Sequence, residues 1–335
     1  METKVLSPFL VFILTTFHFS ASSVIPIYNK ELFHRVPFPL YATFIQTFSS
    51  ILPSFVIAWF VRGCPLSFEW AIPPKAAFPN IFVSSILYGM MMLLGNLGFY
   101  VSDLDFAVLF RVSTIVTSGF CGIFFLRERV SLEGGVGILL VIVGIFELAS
   151  DFQWSTAKMP SSKQLIVQVS AVLSSSLASL FLKYAIFSLN TTKQGHEPFT
   201  LLFWRFLFGS LPILLSAIIV EPGAILNYSF INTSSFYWWT LSGLMLSGIY
   251  QILTVVLHHA TNLVTLTIIS QMKFLPTLII SHFQYRETKW TNKQIIGAFL
   301  LLTGSISYSL TRIECENTNE NEEEDILEIM IEDLN

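Results

Sequence analysis

Charge is scarce in this sequence. Asp, Glu, Lys and Arg together make up 12% of its 335 residues, against 53% hydrophobic residues and a mean hydropathy of +0.67. A soluble domain carries roughly 25% charged residues, so an ordinary soluble globular protein is excluded. Cysteine is equally sparse. Cys64, Cys121 and Cys315 are scattered, which leaves neither a disulfide framework nor a cysteine metal site in view. No nucleophile elbow, P-loop or metal-ligand spacing occurs, so the chain reads as a non-enzyme with no cofactor or metal. His258 and His259 lack further ligands nearby and read as an interfacial pair.

What is abundant is apolar sequence in runs of about 20 residues, the length that crosses a bilayer as helix. Reading these runs between polar breaks gives ten candidate spans: 5–28, 38–61, 79–100, 104–126, 132–150, 164–188, 199–220, 236–257, 263–285 and 292–311. The first has Lys4 before it and "SASS" within it, as a signal peptide would. Its uncharged stretch runs on to Tyr28, past the 7–15 residues of a signal core, and it is kept as a span. The expected fold is therefore an all-α integral membrane protein of ten transmembrane helices. Residues 1–150 would hold spans one to five, 151–312 spans six to ten, and 313–335 a disordered acidic cytosolic tail.

Acidic charge is concentrated at the end. Ten of the 22 acidic residues lie between Glu314 and Asn335, so the remaining body, with 18 basic and 12 acidic residues, is +6. A positive membrane body suits anionic cargo. Lys and Arg divide evenly between the two sides of the ten-span topology, so the positive-inside rule does not orient it. The sequons at Asn227 and Asn232 fall in the loop after span seven and would face the lumen, whereas Asn190 would face the cytosol.

Two spans carry a cation and then end in an Arg-Glu pair. "LFRVSTIVTSGFCGIFFLRER" holds Arg111 and ends at Arg127-Glu128; "QMKFLPTLIISHFQYRET" holds Lys273 and ends at Arg286-Glu287. The spacings from cation to Glu are 17 and 14 residues, about one helical turn apart. Each is followed by a polar link and a glycine-containing span. With five spans per half, the second copy would run upside down, so two inverted five-helix repeats are expected, a transporter arrangement.

A cation in a span either snorkels to the interface or lines a polar interior. Arg111 lies about 10 Å into its span, within an arginine's reach, and Lys273 about 15 Å in, near the midplane. At helical spacing Lys273 shares a face with Ser270, Thr277 and Ser281, and Arg111 with Thr114, Ser118 and Gly122. Small polar faces of this kind look into a bundle interior or a wet cavity. Lys183 follows Ser174, Ser175, Ser176 and Ser179, and a cavity-lining role is open to it. For Arg205, early in its span, snorkelling is the expectation.

At these residues the chain resembles the nucleotide-sugar and triose-phosphate branch of the drug/metabolite transporter superfamily, the solute carrier 35-like proteins. The resemblance spans residues 5–312. "YNKELFHRVPFPLYATFIQ" (Tyr28–Gln46) resembles that branch's Asn-Lys loop and Phe-Pro entry to the second span. "GNLGFYVSDLDFAVLFR" (Gly95–Arg111) resembles its third-to-fourth span junction, including Asn96 and Tyr100. "VTLTIISQMK" (Val264–Lys273) resembles its ninth span, with Thr265 eight residues before the lysine. Arg111 stands where many members have lysine, Thr114 where proline is usual, and Phe274 where triose-phosphate translocators have arginine. The resemblance implies ten helices, cytosolic termini, and exchange of a nucleotide sugar for a nucleoside monophosphate in the Golgi or endoplasmic reticulum membrane. It implies a substrate site drawn from Lys273, Arg111, Thr265, Tyr100, Asn96, Lys183, Thr277 and Ser270.

The expected partners are a small anionic solute and the lipid bilayer, with a homodimer allowed and no nucleic acid. Two other functions stay open. A proton-coupled permease of the same superfamily would need an intramembrane acid, for which Asp105 and Glu147 are the choices. A receptor or scaffold would use the acidic tail, where "DILEIMIEDL" could engage a partner.

Overall fold

Proline marks where several helices begin. Pro8, Pro39 and Pro198 are the first residues of their helices, and Pro79 stands second in another. A proline has no N–H to leave unsatisfied there, and its fixed φ already suits the helix. The structure is a computed structural model. It describes residues 8–35, 38–67, 69–102, 107, 110–111, 113–127, 131–150, 161–191, 198–223, 234–260, 291–293, 295–304 and 306–308.

Among the described residues the protein is all-helical. In chain order the helices are α1 (Pro8–Arg35), α2 (Pro39–Ser49), α3 (Ile51–Val61), α4 (Phe78–Val101), α5 (Thr114–Phe125), α6 (Leu132–Ser150), α7 (Ser162–Thr191), α8 (Pro198–Val220), α9 (Ser234–Ala260) and α10 (Ile295–Tyr308). A short 3-10 turn, Glu69–Ala71, precedes α4. The break between α2 and α3 has a local cause. Pro53 offers no N–H and its ring crowds the carbonyl four residues back, that of Ser49, the last residue of α2. Ser50 bridges the gap by donating its Oγ to the Gln46 carbonyl at 2.8 Å.

The expectation of ten membrane-crossing helices in two inverted repeats does not stand. Among the described residues four helices are long and apolar enough to cross a membrane: Pro39–Val61 (α2 with α3), Phe78–Val101, Ser162–Leu189 and Phe199–Val220. The other apolar helical stretches, Val116–Phe125, Leu132–Gly144, Leu241–Leu257 and Ile295–Tyr308, run 10–17 residues. These lengths count described apolar residues alone; the helices that contain two of them, α6 and α9, run 19 and 27 residues. Helix α1 buries His18, Ser22, Ser23 and Asn29 and ends in "YNKELFHR". The region expected to form span nine, 263–285, lies outside the described residues. The coarser reading holds: a largely helical chain with several apolar helices, consistent with a multi-pass membrane protein.

The chain falls into two compact units, each drawing on separated stretches. One joins residues 1–122 with 154–289, and the other 123–153 with 290–335. In the first unit α4 packs against α7 and α8, α1 against α9, and α2 and α3 against α8. Its core is built where these helices cross. Ile81, Leu182, Ala185, Leu201 and Trp204 form one cluster, and Tyr88, Ala178, Leu202, Phe206 and Val255 another. The α4–α8 crossing depends on Gly89 and Gly209, since a methyl on Gly89 would overlap the Gly209 carbonyl. In the second unit α6 meets α10 in the same way, Gly137 against Gly304 and Gly144 against Gly297.

One carboxylate ties helix ends together. Glu221, just past α8, accepts the backbone N–H groups of Leu40 (3.0 Å) and Tyr41 (2.9 Å) in the first turn of α2. It satisfies two donors that a helix start leaves free, and its charge suits the positive end of the helix dipole. Burial pushes the Glu221 carboxyl up from its ordinary range, and the two N–H bonds oppose that shift.

Candidate functional site: a two-arginine cavity in the first unit

Inside the first unit lies a cavity of about 150 Å³. By this measure a water needs about 10–15 Å³, so the space takes on the order of ten waters. Its described walls come from seven helices and the stretch that leads into α5.

Two guanidinium groups supply the charge of the lining. Arg111 precedes α5 and donates from Nη2 to the carbonyl of Gly95 on α4, with its Cζ 3.9 Å from the centre of the Phe99 ring. Gly95 permits this approach because a methyl there would lie 2.7 Å from Nη2. Arg205, on α8, is only 3% exposed, with its Cζ 4.3 Å over the Tyr88 ring. Its Nε and Nη1 have no hydrogen-bond partner, and neither does the buried Tyr88 hydroxyl beneath it. A buried charge ordinarily has a partner to offset its lost hydration. No Asp or Glu is among the described residues lining this cavity.

Around the arginines the walls are neutral and polar. Asn96 of α4 accepts at Oδ1 from Asn29 Nδ2 of α1 at 3.0 Å and donates to Thr43 Oγ1 of α2 at 2.8 Å. Thr43 in turn donates to the Pro39 carbonyl, so this buried relay is closed and rigid. On α5, Thr114 and Ser118 face the cavity, and Ser118 donates to Ser176 of α7 at 3.1 Å. Tyr250 of α9 also lines it, its ring 4.8 Å from the buried His18, whose Nε2 lies 3.1 Å from Thr254 Oγ1.

The sequence-derived site residues are placed unevenly. Arg111 and Asn96 line the cavity together, and Arg111 does so with Thr114 and Ser118, the face that helical spacing gave it. Tyr100, expected at the substrate, is 52% exposed and outside the cavity wall; it follows Phe99, which does line the cavity, so at 3.6 residues per turn it stands about 100° around α4. Lys183 is half-buried on α7 and is not among the lining residues. Lys273, Thr265, Ser270 and Thr277 lie outside the described residues, and so does Asp105.

Arg205 reverses its expectation. Rather than snorkelling to an interface, it is enclosed at the cavity wall. Its neighbours Leu202, Phe203, Trp204 and Phe206 are all apolar, and that composition is the same whether a helix faces lipid or a packed bundle. Tyr28, Gln46, Gly243 and Gln251, which also line the cavity, carried no sequence signal as a group. Among the described residues no cluster of three or more His, Cys, Asp or Glu could hold a metal.

No known protein family and no curated protein matches the chain. Solved structures do: 28 chains are similar in fold. One crystal structure superposes over 91% of this chain and 98% of its own, with a TM-score of 0.66 and 13% sequence identity. At that identity the likeness extends to the fold alone.

Proposed function

We propose that the protein is a membrane transporter for an organic anion, with the two-arginine cavity as its substrate site. The observation that carries this reading is Arg205. A guanidinium 3% exposed, with Nε and Nη1 unmet and no lining carboxylate among the described residues, is poised for a negatively charged ligand. Arg111 adds a second positive charge to the lining of the same cavity, and a guanidinium pairs with phosphate through two parallel N–H bonds. The four apolar helices long enough to cross a bilayer support a location in the membrane.

The finer reading draws on the family resemblance of the "YNKELFHRVPFPLYATFIQ" and "GNLGFYVSDLDFAVLFR" segments. The cargo is then a nucleotide sugar or related phosphorylated solute, exchanged by alternating access for a nucleoside monophosphate. The membrane is that of the Golgi or endoplasmic reticulum, with both termini cytosolic. Reconstitution into proteoliposomes preloaded with nucleoside monophosphates tests this by uptake of labelled nucleotide sugars. Exchange that Arg205→Gln abolishes is the expected result. Uptake that instead follows a pH gradient and is lost in Asp105→Asn would favour the proton-coupled permease, and uptake unaffected by Arg205→Gln and Arg111→Gln would remove the anion site.

A further inference from the structure

The crossing of α4 and α7 differs from one end to the other. The helices run antiparallel, so the start of α4 meets the end of α7. There the side chains are paired. Asn80 Nδ2 donates to Ser188 Oγ at 2.9 Å and Ser84 Oγ to the Ala178 carbonyl at 3.2 Å, with Ala77, Ile81, Leu182 and Ala185 packed in one cluster. At the other end Gln168 of α7 packs on Gly98 of α4, where an added methyl would lie 2.7 Å from its Nε2. Gln168 is fully buried, and neither its Nε2 nor its Oε1 has a hydrogen-bond partner among the described residues. The Ser102 hydroxyl, four residues on from Gly98, is buried and unmet as well. What bridges this end is a bond from Gln164 Nε2 to the Val101 carbonyl at 2.6 Å.

The unmet end is also where the cavity comes close to a helix terminus. Val172, one turn from Gln168 on α7, lines the cavity, and so does Phe99, next to Gly98. Phe99 stands two residues, about 3 Å, from the end of α4. Met91, at the cavity's other limit on that helix, stands thirteen residues, about 20 Å, from its start. A buried amide and hydroxyl without partners raise the free energy of the closed seam, and water satisfies both when the seam parts. We infer that the way into the cavity opens between α4 and α7 at their Gln168–Ser102 end, with the bonded Asn80–Ser188 end as the hinge. Gly98 lets the seam shut, and the Gln168 amide keeps the shut and parted arrangements close in free energy, which an apolar side chain would not do. This entrance serves any solute that fits the cavity, whichever anion Arg205 takes.

The test is the rate at which a membrane-impermeant methanethiosulfonate labels single cysteines in the full-length chain in lipid nanodiscs, with Cys64, Cys121 and Cys315 replaced by serine. Gln168→Cys and Ser102→Cys are expected to label despite their burial, about tenfold or more faster than Ser84→Cys, which is buried toward the hinge end. Ser175→Cys reports arrival in the cavity, which Ser175 lines. Gly98→Ala wedges the seam and should speed that arrival about fivefold or more. Gln168→Leu keeps most of the volume and removes the unmet groups. It should slow arrival about fivefold or more, with a melting temperature at or above that of the parent chain. Gln168→Met takes its place if the leucine variant melts lower. Ser175→Cys labelling that neither the Gly98 nor the Gln168 substitution alters means that the cavity fills by another way, and overturns the entrance. Labelling of Gln168→Cys without Ser102→Cys means that α7 frays alone, and Ser84→Cys labelling as fast as Ser102→Cys means that no hinge exists; either overturns it too. Absence of nucleotide-sugar exchange beside seam-dependent labelling removes the assigned cargo and leaves the entrance standing.

Discussion

Replacing Arg205 by methionine separates stability from function. In the unliganded protein the guanidinium is enclosed with Nε and Nη1 unmet. Each buried donor without a partner costs about 1–3 kcal/mol. Stacking over Tyr88 at 4.3 Å returns about 0.5–2 kcal/mol. A methionine fills most of the same volume with flexible apolar atoms and carries neither debt nor gain. The unliganded variant should therefore be as stable as the wild type or more so, by about 0–5 kcal/mol. Ligand binding should move the other way. Losing charge-assisted hydrogen bonds worth about 1.5–3 kcal/mol weakens a nucleoside monophosphate roughly 10- to 150-fold. The assay is a denaturant titration of the purified full chain without ligand, paired with calorimetric binding. A variant less stable than wild type by more than about 2 kcal/mol would refute the argument, because it would mean that Arg205 already has an anionic protein partner. So would an unchanged affinity.

Four further outcomes follow from the geometry. Gly95→Ala sets a methyl 2.7 Å from Arg111 Nη2, and should lower anion affinity at least about tenfold with a melting temperature near wild type, because a guanidinium shifts more easily than a helix. Gly89→Val places its branch into the Gly209 carbonyl at the α4–α8 crossing, and should cost about 3 kcal/mol or more in denaturant unfolding. Glu221→Ala frees the Leu40 and Tyr41 N–H groups at the start of α2, and should cost about 1–2 kcal/mol by the same measurement. Asn96→Ala strands the Asn29 amide and the Thr43 hydroxyl of the buried relay, and should cost about 2–4 kcal/mol while also weakening substrate binding, since the relay forms part of the cavity wall.

Legibility differed from residue to residue. Arg111 could be read because its face repeats at helical spacing, and Thr114 and Ser118 do share the cavity with it. Asn96 was marked by the "GNLGFY" segment, and it lies at the wall. Tyr100 in the same segment was marked equally and lies exposed, because it stands about 100° around α4 from Phe99, which lines the cavity. Arg205 was hidden by its apolar neighbours. Gln46 and Gly243 were hidden for another reason: they are 197 positions apart and become a pair only where α2 and α9 meet. The count of membrane-crossing helices was over-read, since an apolar run records only that a segment leaves water. Among the described residues four helices meet the length and hydropathy a bilayer asks for.

Sequence alone determined the composition that suits a bilayer and the form of the backbone. A chain 12% charged and 53% hydrophobic is consistent with burial in lipid, and a backbone in lipid satisfies its polar groups as helix. Sequence also determined that cations would sit among apolar residues. Which of them would share a space was decided by tertiary structure. Burial on one helix cannot be told from exposure to lipid until a second helix arrives with Tyr88 or Gly95, and it is that arrival which brings two isolated arginines to the lining of one cavity.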